Sequence, residues 1–131
     1  MKRIIKVLIA VCCVAVLLYS LYFFLPGFMI QSSACIYDFE LSEDGSEMII
    51  DVGVAASIGY IRKVSVHQQE GGKLYLDFYQ AFGGINGSCG AKNTFTIPLD
   101  EDTEVIGVCR GNNCYDVVLE KNNEGVWEFV K

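Results

Sequence analysis

Residues 4–25, IIKVLIAVCCVAVLLYSLYFFL, constrain this chain more than any other stretch. Lys6 is the only charge among these residues, and neither Pro nor Gly interrupts them before Pro26 and Gly27. As a helix the run is about 33 Å long, which matches the hydrocarbon core of a bilayer. Lys2, Arg3 and Lys6 lie at its start, and no acidic residue occurs before Asp38. The excess of basic residues on that side predicts a cytoplasmic amino end and an exported remainder. The chain therefore divides into an anchor, residues 1–30, and an extracytoplasmic domain, residues 31–131.

About 100 exported residues suffice for one small domain. Three of the ten basic residues fall in the anchor, leaving seven against all sixteen acidic residues of the chain. A domain this acidic is not built for nucleic acid, which selects basic faces. The charge also repels anionic lipid and polyanionic polymers, unless divalent cations intervene.

Six cysteines fall into two groups. Cys12 and Cys13 lie within the apolar run and behave as small hydrophobes. Cys35, Cys89, Cys109 and Cys114 lie on the exported side, where an even number in an oxidising compartment predicts two disulfides. Cys109 and Cys114 flank four turn residues, so the expected pairing is Cys109 with Cys114 and, by elimination, Cys35 with Cys89. Residues 32–34, Ser-Ser-Ala, also resemble a signal-peptidase site that would release a domain beginning at Cys35. As a lipoprotein site the stretch is poor, because Ser32 stands where Leu is usual. The run exceeds a signal core of roughly 7–15 residues, which favours an uncleaved anchor over both processed forms.

Beyond Pro26 and Gly27 the pattern changes to alternation, the mark of half-buried strands. Tyr37, Phe39 and Leu41, then Met48, Ile50 and Val52, predict a first hairpin about the Asp44–Gly45 turn. Residues 54–59 are ambiguous between a helical turn and a strand extension. Residues 60–67 and 73–82 predict a second hairpin, with Leu74, Leu76 and Phe78 on one face and Tyr75, Asp77 and Tyr79 on the other. Strands follow over residues 93–99, 104–109, 115–120 and 126–130. The predicted fold is all-β, about eight strands in antiparallel order, a small sandwich or open barrel. Its core includes Phe39, Ile50, Val64, Leu76, Phe78, Phe95, Ile97, Val117 and Trp127.

Candidate chemistry is sparse. Residues 83–93, GGINGSCGAKN, form a long loop with four glycines, a length that marks either function or disorder. Gly83, Gly84, Asn86, Gly87, Lys92 and Asn93 are its candidate binding residues. It is no phosphate loop, since Ala91 separates Gly90 from Lys92 and no helix follows. The single histidine, His67, would have to be the base of any nucleophilic cysteine or serine, and on its alternating strand it reads as a surface residue. Zinc is a poor fit to one histidine and the absence of two-residue cysteine spacing. Asp100, Glu101, Asp102 and Glu104 lack the spaced ligands of a calcium loop. No catalytic, metal or cofactor site is expected. The chain reads as a membrane-tethered binding, sensing or accessory module with a cell-envelope protein or ligand as partner. The alternative is an envelope thiol enzyme or redox protein using Cys89, with His67 nearby, or the Cys109 and Cys114 pair.

Residues 57–93 resemble a domain of clostridial-type Gram-positive bacteria. The matching features are Gly59-Tyr60-Ile61-Arg62, Leu74-Tyr75-Leu76 with Phe78-Tyr79, Phe82-Gly83-Gly84 and Gly90-Ala91-Lys92-Asn93. That domain occurs in small membrane- or lipid-anchored proteins and as the extracytoplasmic tail of BlaR/MecR-like sensor metallopeptidases. The likeness runs on through Arg110 and Gly111 to Trp127. It implies an anchored envelope protein and assigns no catalytic residue. Cys89, Cys109 and Cys114 depart from the pattern, and the His-Glu zinc helix of the sensors is missing here.

Overall fold

The computed structural model describes Met1–Lys131. Its first element, α1 (Lys2–Phe24), continues into a 3-10 turn, Leu25–Phe28, in which Pro26 occupies the first turn and needs no backbone donor. No residue of α1 is buried, and the helix is long and apolar enough to cross a membrane. A helix that is apolar all round finds favourable surroundings only in lipid or in a large protein interior.

Eight strands follow: β1 (Ala34–Leu41), β2 (Glu47–Val54), β3 (Ile61–Gln69), β4 (Lys73–Gln80), β5 (Thr94–Pro98), β6 (Val105–Cys109), β7 (Tyr115–Lys121) and β8 (Trp127–Phe129). They form two sheets, ordered β1-β2-β5 and β3-β4-β6-β7-β8. Residues 55–58 are bends with no helical turn. One pairing departs from the expected antiparallel order: β4 and β6 are parallel, Leu74 opposite Ile106 and Leu76 opposite Val108. β5 crosses to the other sheet, so the chain returns beside β4 running in the same direction as β4.

Both sheets contribute to one core. Met48, Ile50, Val52 and Ile97 come from the smaller sheet, and Leu74, Leu76, Phe78, Ile106, Val108, Leu119 and Trp127 from the larger. Phe39, Val64 and Phe95 pack against it while partly exposed. Val117 does not belong to it and is 43% exposed. A bulge between Ile106 and Gly107 sets Val117, rather than the in-step Val118, opposite Gly107 and turns the Val117 side chain outward. A second bulge between Ile36 and Asp38 likewise ejects Tyr37, so Ala34 and Ile36 face inward before it and Phe39 after it.

The strands set two poles. At the helix end lie residues 25–34, 55–60, 81–93 and the β6–β7 turn, residues 110–114, which contain no Asp or Glu. At the distal end lie the turns that carry Glu43, Asp44, Glu70, Asp100, Glu101, Asp102, Glu104 and Glu124. In the first of these turns Asp44 accepts the Ser46 backbone N–H at 3.0 Å and the hydroxyls of Ser46 and Ser42 at 2.8 Å. Those bonds, the Ser46 backbone first, lower its pKa to about 2.

Candidate functional site

The segment leaving α1 is woven into the domain before β1 begins. Gln31 donates its backbone N–H to the Phe78 carbonyl at 2.7 Å, and Gln80 donates to the Met29 carbonyl at 3.0 Å. Two arginines complete the attachment. Arg110, in the β6–β7 turn, donates from Nη1 to the carbonyls of Ala34 at 2.6 Å and Ser32 at 3.1 Å, while its Nε bonds Asp116 at 2.9 Å. Arg62 of β3 donates from Nη2 to the Gly27 carbonyl, and its guanidinium carbon lies 4.2 Å from the centre of the Phe82 ring and 5.9 Å from that of Phe28. Gly27 is required here, because a Cβ would overlap the Phe82 ring.

The glycine loop belongs to this junction. Phe82 and Cys89 exchange both backbone hydrogen bonds at 3.0 Å and close its neck. Gly83 donates to the carbonyl of Phe23, inside α1, at 2.9 Å. Gly84, at φ +84°, lies so close to Tyr22 that a Cβ would overlap the tyrosine ring. A tight turn follows, with Gly87 N–H bonding the Gly84 carbonyl at 3.1 Å, and it exposes Ile85 at its tip. Asn86 accepts the backbone N–H of Gly59 at 2.8 Å, joining this turn to the β2–β3 loop. Lys92 donates to Ile61, and the Asn93 carbonyl accepts from Val52, so the loop's far end joins both sheets. All six candidate loop residues thus fall in one segment pinned to the helix end.

Between the helix exit and the two loops is a groove of about 390 Å³, lined in part by Met29, Ile58, Ile85 and Asn86.

None of the four cysteines beyond α1 is paired in this structure. The expected Cys109–Cys114 bond is missing because Tyr115, not Cys114, stands opposite Cys109. Cys114 is one residue out of step, where strand alternation directs it to the other face. Cys109 is buried, with Sγ accepting the Gly111 N–H at 3.4 Å, and Cys114 is exposed. Cys35 is half-buried with Sγ 3.7 Å from the Ser33 carbonyl, and Cys89 is exposed at the loop neck.

A second cluster occupies the outer face of the larger sheet. Asp77 bonds His67 Nε2 through one carboxylate oxygen and accepts the Tyr115 hydroxyl through the other, each at 2.8 Å. Tyr115 stacks on Tyr75 with ring centres 4.3 Å apart, over Gly107, where a larger residue would strike Tyr75. Partial burial, then the Asp77 carboxylate, push the Tyr115 phenol well above its ordinary value. Strand alternation alone gives His67 no partner. The β3–β4 register supplies one, since Ser65 opposite Asp77 sets His67 on the adjacent diagonal. His67 stands opposite Tyr75, seven residues before Phe82, which lies just past β4 and bridges Cys89. At strand rise that separation is about 23 Å, so His67 and Cys89 are not neighbours.

Comparison with family models, curated proteins and solved structures finds no match to this chain.

Proposed function

We propose that the chain is a single-pass membrane protein whose residues 31–131 form a small β-sandwich that works outside the cytoplasm as a non-catalytic binding, sensing or accessory module of the bacterial cell envelope. The observation that carries this reading is the hydrogen-bonded continuity of helix and domain. Removal of the helix by cleavage after Ala34 would strip the bonds made by Met29, Gln31, Ser32 and Ser33, and with them backbone pairing to β4 of the larger sheet and to the end of β2 in the smaller. An anchor so integrated with its cargo favours retention over release. Lys2, Arg3 and Lys6 favour a cytoplasmic amino end.

The separation of His67 from Cys89 supports a module over a thiol enzyme, since a cysteine nucleophile needs its base within hydrogen-bond reach. Kinship with the clostridial-type anchored proteins and with the tails of BlaR/MecR-like sensors is part of the same proposal. It leaves the acidic distal pole and the Tyr75–Tyr115 face turned toward an envelope protein or ligand. Reporter fusions at Lys131 test the arrangement. An exported reporter should be active there and a cytoplasmic one silent; an active cytoplasmic reporter would refute it.

A further inference from the structure

Resting on the membrane-anchor reading, we infer that the helix-end pole of the domain is itself a lipid-contacting surface, seated in the interface of the leaflet from which α1 emerges. Three independent observations meet there. The first is depth: Gly83 bonds the carbonyl of Phe23 and Gly84 packs on Tyr22, both residues within the apolar helix. A loop attached to the last turn of a spanning helix cannot stand clear of the headgroup layer. Tyr19 and Tyr22 mark that layer, where tyrosine and tryptophan rings collect.

The second is exposed apolar surface of the kind that soluble proteins hide. Ile85 is 75% exposed at the tip of the Gly84–Gly87 turn, and Ile58, Met29 and Phe28 are more than half exposed beside it. Ile58 comes from a different loop, yet it lines the same groove as Ile85 and Met29. The Asn86 bond to Gly59 holds the two loops side by side.

The third is charge. Residues 25–34, 55–60 and 81–93 contain none of the sixteen carboxylates, and the β6–β7 turn brings only Asp116 near this pole, paired with Arg110, whereas half of the sixteen crowd the opposite pole. Carboxylates resist transfer into the interface and are repelled by anionic headgroups, so their segregation orients the domain with this pole down. A protein partner would explain the apolar surface but not the attachment of the loop to residues inside the helix. The outer leaflet is the occupant that is always present at that depth.

The test uses the full chain in phosphatidylcholine nanodiscs, with and without bromine on the acyl chains. The native Trp127, opposite Lys121 at the distal end, supplies an unquenched baseline. Tryptophan is added singly at Ile85, at Leu17 in mid-helix, and at Val117 on the outer sheet face. These positions are exposed, so the added rings leave the core intact. Bromine should quench most of the emission added by I85W and L17W, and none of that added by V117W. Quenching of L17W without I85W would overturn the lipid seat while leaving the anchor in place. Failure to quench L17W would overturn both.

Discussion

The guanidinium of Arg62 lies over the Phe82 ring, its central carbon 4.2 Å from the ring centre, so that β3 is joined to the neck of the glycine loop. The same group donates to the Gly27 carbonyl, while its Nε is buried without a partner. A lysine has neither the planar stacking surface nor the fork of donors. Arg62→Ala should therefore cost about 1–3 kcal/mol, from the lost charge-assisted bond and cation–π contact, and Arg62→Lys should recover little of it. Denaturant unfolding of the detergent-solubilised chain reads the loss. Proteolysis should then cut first between residues 25 and 33.

Leu76 and Val117 should respond oppositely to truncation. Leu76 is fully buried between the sheets, so Leu76→Ala should cost on the order of 2–5 kcal/mol. Val117 faces solvent, and Val117→Ala should stay within about 0.5 kcal/mol. Equal losses would contradict the bulge at Gly107.

Two pH effects follow from shifted groups, with opposite signs. Tyr115 keeps its proton in the folded chain beyond its ordinary value near 10, while the unfolded chain has already lost it. The folded state then holds more protons, so its contribution is complete below pH 10 and fades as pH rises beyond it. Asp44 is lowered from 3.8 to about 2, so its contribution is present above the ordinary carboxylate range and fades as pH falls toward 2. Tyr115→Phe should flatten the alkaline decline and Asp44→Asn the acid one, as followed by denaturant midpoints across pH.

Alkylation should separate the cysteines by burial. Cys89 and Cys114 are exposed and should react in the native protein, whereas buried Cys109 should wait for unfolding. Peptide mapping without reduction should find no Cys109–Cys114 bond. Finding one would require β7 to shift by a residue against β6.

The strands of this fold were legible where burial is one-sided. Leu74, Leu76 and Phe78 alternate without interruption, and all three are in the core. Alternation fails at a bulge, which is why Tyr37 and Val117 point outward despite being in phase with core neighbours. The parallel β4–β6 pair was hidden because strand direction depends on where β5 lies, a long-range fact with no local signature. The candidate loop announced itself through its glycines. Its attachment did not, since the tight approach of Gly84 to Tyr22 and of Gly27 to Phe82 joins residues about sixty positions apart. The His67–Asp77 contact was within reach, given the hairpin register, whereas Tyr115 arrives only through the parallel pairing.

If the helix is retained and the domain stands outside the cytoplasm, helix and domain reach the cell surface as one chain. Intact cells treated with a membrane-impermeant maleimide, followed by intact-mass analysis of the protein, test it most directly. Label is expected on exposed Cys89 and Cys114, carried by a species that still contains residues 1–34. A species beginning at Cys35, or cysteines that label only after lysis, would contradict it.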